Sequence, residues 1–162
     1  MKKRVAIVAG GDQSELEVSL RSAAGLYSFI DANKYECHIV TIVGTEWNVD
    51  YEGKKYVIDK NDFSFVIESG KRLNFDFAYI TIHGVPGEDG KLQGYFDLIR
   101  MPYSCCGVLS AALTFNKFFL EGKLWLIYQK QNGSSSKRKP LNSVNSAFKQ
   151  QFGQVADISA AV

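Results

Sequence analysis

Apolar and polar positions along the chain follow two periods. Val5-Ala6-Ile7-Val8-Ala9 is an unbroken apolar run that suits a strand buried on both faces of a parallel sheet. Gly10-Gly11 permits backbone conformations that a Cβ forbids, and beyond it Leu16, Leu20, Ala23, Ala24, Leu26, Tyr27 and Ile30 recur at helical spacing. Asp31-Ala32-Asn33 ends that helix, and Tyr35 to Val43 (YECHIVTIV) reads as a second strand, which predicts a parallel βαβ unit. Residues 46–58 gather Trp47, Tyr51, Tyr56 and Val57 around Glu52-Gly53-Lys54 and predict a small β-hairpin that embellishes the domain. Phe63 to Gly70 fits either a short helix or an extended segment, and Phe75 to Ile82 (FDFAYITI) reads as another buried strand. A helix over Gly90 to Ile99, a short strand or strand entry at Met101-Pro102-Tyr103, a turn at Cys105-Cys106-Gly107 and a helix from about Leu109 to Leu120 follow. Beyond Gly122 the periodicity fades. Gln129 to Ser143 has the composition of a linker, and residues 144–162 carry only a weak amphipathic pattern.

Two of these strands run into glycine-bearing loops at their carboxyl ends, where open α/β sheets bind ligands. At the first loop, Ser14 and Glu17 have the spacing of a capping box. That leaves Glu15, at the first helical position, with two readings: a surface acid favoured by the helix dipole, or a carboxylate that holds a substrate ammonium group. The second loop is His83-Gly84-Val85-Pro86-Gly87-Glu88-Asp89-Gly90, expected to face the first. Glu88 and Asp89 read as dipole-favoured acids in the first turn of the next helix. His83 ends a strand beside the crevice and exchanges protons near neutral pH. His38, inside a strand, reads as a packed side chain, and Lys117 taken alone is an ordinary solvated helical lysine.

Composition narrows the field. With 162 residues, 46% hydrophobic and 22% charged, the chain suffices for one ordinary globular domain. It has neither an apolar run of membrane-spanning length nor a signal peptide, so a cytoplasmic protein without membrane partners is expected. Cys37, Cys105 and Cys106 fit neither a disulfide framework nor zinc spacing and read as reduced core residues. Residues 1–122 carry 13 Lys/Arg against 16 Asp/Glu, whereas residues 123–162 carry 6 against 1. The basic tail lacks the patterned arginines and aromatics of a nucleic-acid module, so no nucleic-acid partner is expected. Dinucleotide, Walker and nucleophile-elbow motifs are all missing.

Three motifs in order carry a resemblance: V-A-G-G-x-x-x-E-x-E-V-S-L, then H-G-x-x-G-E-D-G-x-x-Q-G, then M-P-Y-x-x-x-G-x-x-x-x-A-L-x-x-N-K. Over about residues 4 to 119 the chain resembles the N-terminal portion of the D-alanine:D-alanine ligases, of the ATP-grasp superfamily. The resemblance implies an α/β fold: a Rossmann-like, three-layer, parallel-sheet (pre-ATP-grasp) domain over residues 1–122, with a small hairpin insertion. An atypical basic tail over 123–162 reads as the mark of truncation or frameshift. The resemblance also implies that Glu15 binds the ammonium of the first D-alanine, with Val18, His83 and Gly84 lining the same subsite. Glu15 and His83 would be its catalytic-site residues, and Lys117 would approach the phosphates of ATP. The family's reaction joins two D-alanines for peptidoglycan synthesis, using ATP and Mg2+, and its members are commonly homodimers. No metal ligands are expected in this chain, because after Lys117 only Glu121 and Asp157 are acidic. Two functional readings follow: a ligase chain that carries the first-substrate subsite and is inactive alone, or a non-catalytic dimerisation or binding module of the same fold.

Overall fold

The computed structural model describes residues 2–11, 15–117 and 119–121. They fall into two units divided between Ala111 and Ala112. In the first, β1 (Lys3–Gly10), α1 (Leu16–Phe29) and β2 (Tyr35–Val43) form the expected unit, with β1 and β2 parallel and in register from Lys3↔Tyr35 to Gly10↔Ile42. β3 (Glu46–Tyr51) and β4 (Lys54–Asp59) form the hairpin, with Glu52 and Gly53 both at positive φ (49° and 76°), as a two-residue turn between twisted strands requires.

The hairpin is built into the sheet. β3 pairs antiparallel with β2, and β5 (Ser64–Val66) and β6 (Arg72–Leu73) continue outward, so the undecided segment at Phe63 is extended. On the other side, β7 (Phe77–Ile80) pairs parallel with β1, giving the order β6-β5-β4-β3-β2-β1-β7. Tyr103 adds a single parallel bridge to Ala78. α2 (Lys91–Leu98) and α3 (Val108–Phe115) complete the named elements.

β1 divides the core. Ile7 and Ala9 pack on one face with Ala23, Leu26 and Ile30 of the α1 segment, whereas Ala6 and Val8 belong to the cluster that holds Leu92 and Phe96 of α2 on the other. Strand alternation thus produces the three layers. The second cluster is aromatic: Phe63 lies 5.0 Å from Phe96 and 5.7 Å from Phe75 between ring centroids, and Trp47 meets Tyr95 edge-on at 5.0 Å. The hairpin therefore contributes to the main core, because Trp47, Tyr51 and Tyr56 close it over β5.

Several expectations are corrected. Of the helical stripe on α1 only Ala23 is buried, joined by Ser19; Leu20 and Tyr27 are exposed. α2 starts at Lys91, so Glu88 and Asp89 precede the helix and do not occupy its first turn. Asp89 accepts the backbone N–H of Lys91. The cysteines are free, yet Cys105 is exposed and stands at φ 81°. In the second unit α3 stops at Phe115, and Asn116 opens a new turn by accepting the Phe119 N–H at 3.3 Å through Oδ1. Lys117 lies in that turn and not on the preceding helix. Ser14 of the expected capping box and the tail over 123–162 lie outside the described residues. Among the described residues no helix is long and apolar enough to cross a membrane.

Candidate functional site

The site is assembled from the carboxyl ends of two neighbouring parallel strands. β1 ends in Gly10, at φ +122°, where a Cβ would sit 2.0 Å from the carbonyl oxygen of Ile42; only glycine passes there. Gly11 donates its N–H to that same oxygen at 2.9 Å. A Cβ on Gly11 would meet Ile82 Cγ2 at 2.7 Å and the Val85 oxygen at 3.1 Å, so the two glycine loops press against each other as expected.

Ser19 ties the helix to both strands. Fully buried, its Oγ accepts the Gly10 N–H and donates to the Thr81 carbonyl, each at 3.0 Å. Thr81 in turn donates its N–H to Val8 O at 2.8 Å. The start of α1 is thereby fixed against the ends of β1 and β7.

Glu15 is the N-cap of α1 and not its first helical residue, with φ −119° and ψ 2° and no side-chain capping bond. Its carbonyl accepts the Ser19 N–H at 3.0 Å, while its side chain is exposed. Glu17, the alternative acid, is committed to Arg21 at 2.9 Å along the outer face of the helix. The Glu15 carboxylate reaches across to the second loop: a Cβ placed on Gly84 would lie 3.4 Å from Glu15 Oε2. Gly84 stands at φ +68° and donates its N–H to Glu88 Oε2 at 3.0 Å. Glu88 N–H returns a bond to Gly84 O at 2.7 Å.

Of the expected site residues, Glu15 and Gly84 are therefore brought together. His83 precedes Gly84 and is exposed; Val18, three residues beyond Glu15 on the same helix, is half exposed. Lys117 is exposed and belongs to the second unit. Two residues were not singled out in the sequence, and a third was given another role. Ser19 could have been found as a hydroxyl at a core-facing helical position, and Gln93 as the polar residue of the second motif. Gln93 is buried and donates Nε2 to Gly87 O at 2.6 Å and to Cys105 Sγ at 3.2 Å. Glu88, read as a dipole-favoured acid, is instead the partner of Gly84.

The chemistry of this mouth is that of a cation site. Two carboxylates, Glu15 and Glu88, flank Gly84, and among the described residues neither has an ion-pair partner. The dipole at the start of α1 favours the Glu15 anion. A phosphate cradle needs free backbone N–H groups, but those of Gly10, Gly11 and Gly84 are already donated to Ser19, Ile42 and Glu88. The Gly10, Gly11 and Gly84 amides are therefore not free for a phosphate. Among the described residues no group of three His, Cys, Asp or Glu converges to hold a metal. Desolvation around Sγ pushes the Cys105 thiol up although the residue as a whole is exposed, against the opposing effect of the Gln93 N–H.

Residues 4–106 match the family described as D-ala D-ala ligase N-terminus. A curated D-alanine–D-alanine ligase of Bacteroides fragilis is 62% identical over 119 residues, which cover 73% of this chain and 36% of that protein. Thus the chain spans about a third of the length of this relative. Among solved structures, D-alanyl-alanine synthetase A from Vibrio cholerae matches with a TM-score of 0.66 and 27% identity, over 94% of this chain and 46% of that one. A Bacillus anthracis D-alanine–D-alanine ligase complexed with ATP matches with a TM-score of 0.57 and 29% identity, over 76% of this chain and 37% of that one.

Proposed function

The chain belongs to the D-alanine–D-alanine ligase family, through that family's N-terminal part, and on this premise we propose that its two glycine loops form the first D-alanine subsite of a ligase. The activity it serves is the ATP-dependent joining of two D-alanines for peptidoglycan synthesis in the cytoplasm. Residues 1–122 are the ligase N-terminal domain in this reading.

The observation that carries the subsite is the position of the Glu15 carboxylate over Gly84, exposed and without an ion-pair partner among the described residues. An amino acid docked there presents its ammonium to an anion held at a helix start, and little reorganisation is required. His83, at the end of the same strand segment, supplies a proton-exchanging group for the substrate carboxylate, and Val18 supplies apolar surface for the methyl. Because the mouth is acidic, the ATP phosphates belong elsewhere in this reading, and Lys117 is a cation that approaches them. ATP supplies the phosphoryl group that activates the first carboxylate. This chain's own residues bind and orient the amino acid. The family's homodimer is proposed for this chain too, since α1 leaves Leu20, Tyr27 and Phe29 exposed, Phe29 to 87%.

The test is a titration of the labelled chain with D-alanine, followed by NMR. Saturable shifts at Gly84 and the start of α1, lost in Glu15→Ala, are the expected result. Identical responses of the two proteins would remove Glu15 from the site.

A further inference from the structure

Glu15 and Glu88 approach one glycine from two sides. Glu88 Oε2 takes the Gly84 N–H at 3.0 Å, and the Glu15 Oε2 lies 3.4 Å from the place a Gly84 Cβ would occupy. A Cβ and an amide nitrogen on one Cα are about 2.5 Å apart, so the Glu15 Oε2 lies within about 6 Å of the Gly84 nitrogen, a gap that rotation of the Glu15 side chain closes. A carboxylate beside an unclaimed backbone N–H takes it, because a charged acceptor makes the stronger bond. Were Glu88 absent, Glu15 would fold down onto the Gly84 N–H with one oxygen, and its carboxylate would turn away from a substrate ammonium.

We propose that Glu88 is a positioning residue: by occupying the Gly84 N–H, and by returning its own N–H to Gly84 O at 2.7 Å, it keeps the Glu15 carboxylate free for the substrate ammonium. The role rests on the D-alanine subsite proposed above. It also accounts for an acid that lies outside α2, where it gains nothing from the first turn of that helix. Glu88 is exposed and outside the core clusters, so its replacement leaves the fold intact.

The experiment compares the full chain with its Glu88→Ala and Glu88→Gln variants. D-alanine affinity, the exchange protection of the Gly84 amide and the thermal midpoint are measured for each. Glu88→Gln keeps an acceptor for the Gly84 N–H and binds within about twofold of the parent, whereas Glu88→Ala loses about tenfold in affinity. The Gly84 amide stays protected in Glu88→Ala, because Glu15 has taken it, and loses protection in the double variant Glu15→Ala/Glu88→Ala. Thermal midpoints agree throughout. Parent-like affinity in Glu88→Ala would overturn the role, and so would an equal loss in both single variants, which would assign the effect to charge alone. A parent chain that gives no response to D-alanine would instead overturn the subsite itself, a result distinct from either.

Discussion

At the scale of single residues, the site depends on which acid is already committed. Glu17 is spent on Arg21, Asp89 on Lys91 and Glu88 on Gly84, which leaves Glu15, of these four acids, without a partner among the described residues. The sequence shows all four acids in two short motifs, and helix-dipole reasoning alone does not rank Glu15 first, because every acid near a helix start has the same local argument. Tertiary hydrogen bonds make the distinction. His38 illustrates the opposite outcome: it reads as packed from its place in a strand, and it does stack on Tyr51 at 4.9 Å while its Nε2 meets Glu36 Oε1 at 3.0 Å. Glu36 is also gripped by Arg4, directly opposite in the β1–β2 register, through two bonds of 2.9 and 3.0 Å. The Arg4 guanidinium holds the Glu36 carboxyl below its usual range, against the opposing effect of burial. A carboxyl depressed in the folded state stabilises the fold above its unfolded pKa, and that contribution is lost as pH falls through the folded value. Thermal stability should therefore fall on acidification below about pH 4. In Glu36→Gln the stability at pH 7 drops by ~1 kcal/mol and the acid-side slope becomes shallower. Unchanged slopes in the two proteins would show that the Arg4–Glu36 pair contributes nothing to acid sensitivity.

At the scale of elements, β1, α1, β2 and the β3–β4 hairpin are legible because each has one strong local signal: an apolar run, a helical stripe, or a glycine turn between aromatic strands. β5 and β6 are not, at three and two residues, since so short a strand is fixed by its neighbours and not by its own pattern. The breakdown of the α1 stripe has a physical cause as well. Only one narrow line of the helix meets the sheet, through Ser19, Ala23, Leu26 and Ile30, and Leu20 and Tyr27 beside it remain on the surface. An exposed apolar face of this kind is stabilised by a second copy of itself. Light scattering at micromolar concentrations should give twice the chain mass, and Phe29→Ser should shift the equilibrium toward the monomer without lowering the thermal midpoint of that monomer. A monomeric parent protein at high concentration would exclude α1 as a dimer surface.

At the scale of the whole molecule, the proposed site lies in the first unit, and its two halves, Glu15 and Gly84, are 69 residues apart in sequence and are joined by the β1–β7 pairing. The three motifs point to the family, and the match over residues 4–106 agrees with them. The geometry adds what motifs lack: a reason for glycine at Gly10, a buried hydroxyl that fixes α1, and an acidic mouth in which the Gly84 N–H is already donated to Glu88. Together these point to an ammonium ligand. The most direct test compares D-alanine with D-lactate, which keeps the carboxylate and the methyl and carries a hydroxyl in place of the ammonium. D-alanine should saturate the Gly84 and α1 resonances, and D-lactate should bind weaker by about tenfold or more, since the charge pair with Glu15 is lost. Equal affinities for the two acids would contradict an ammonium subsite at Glu15.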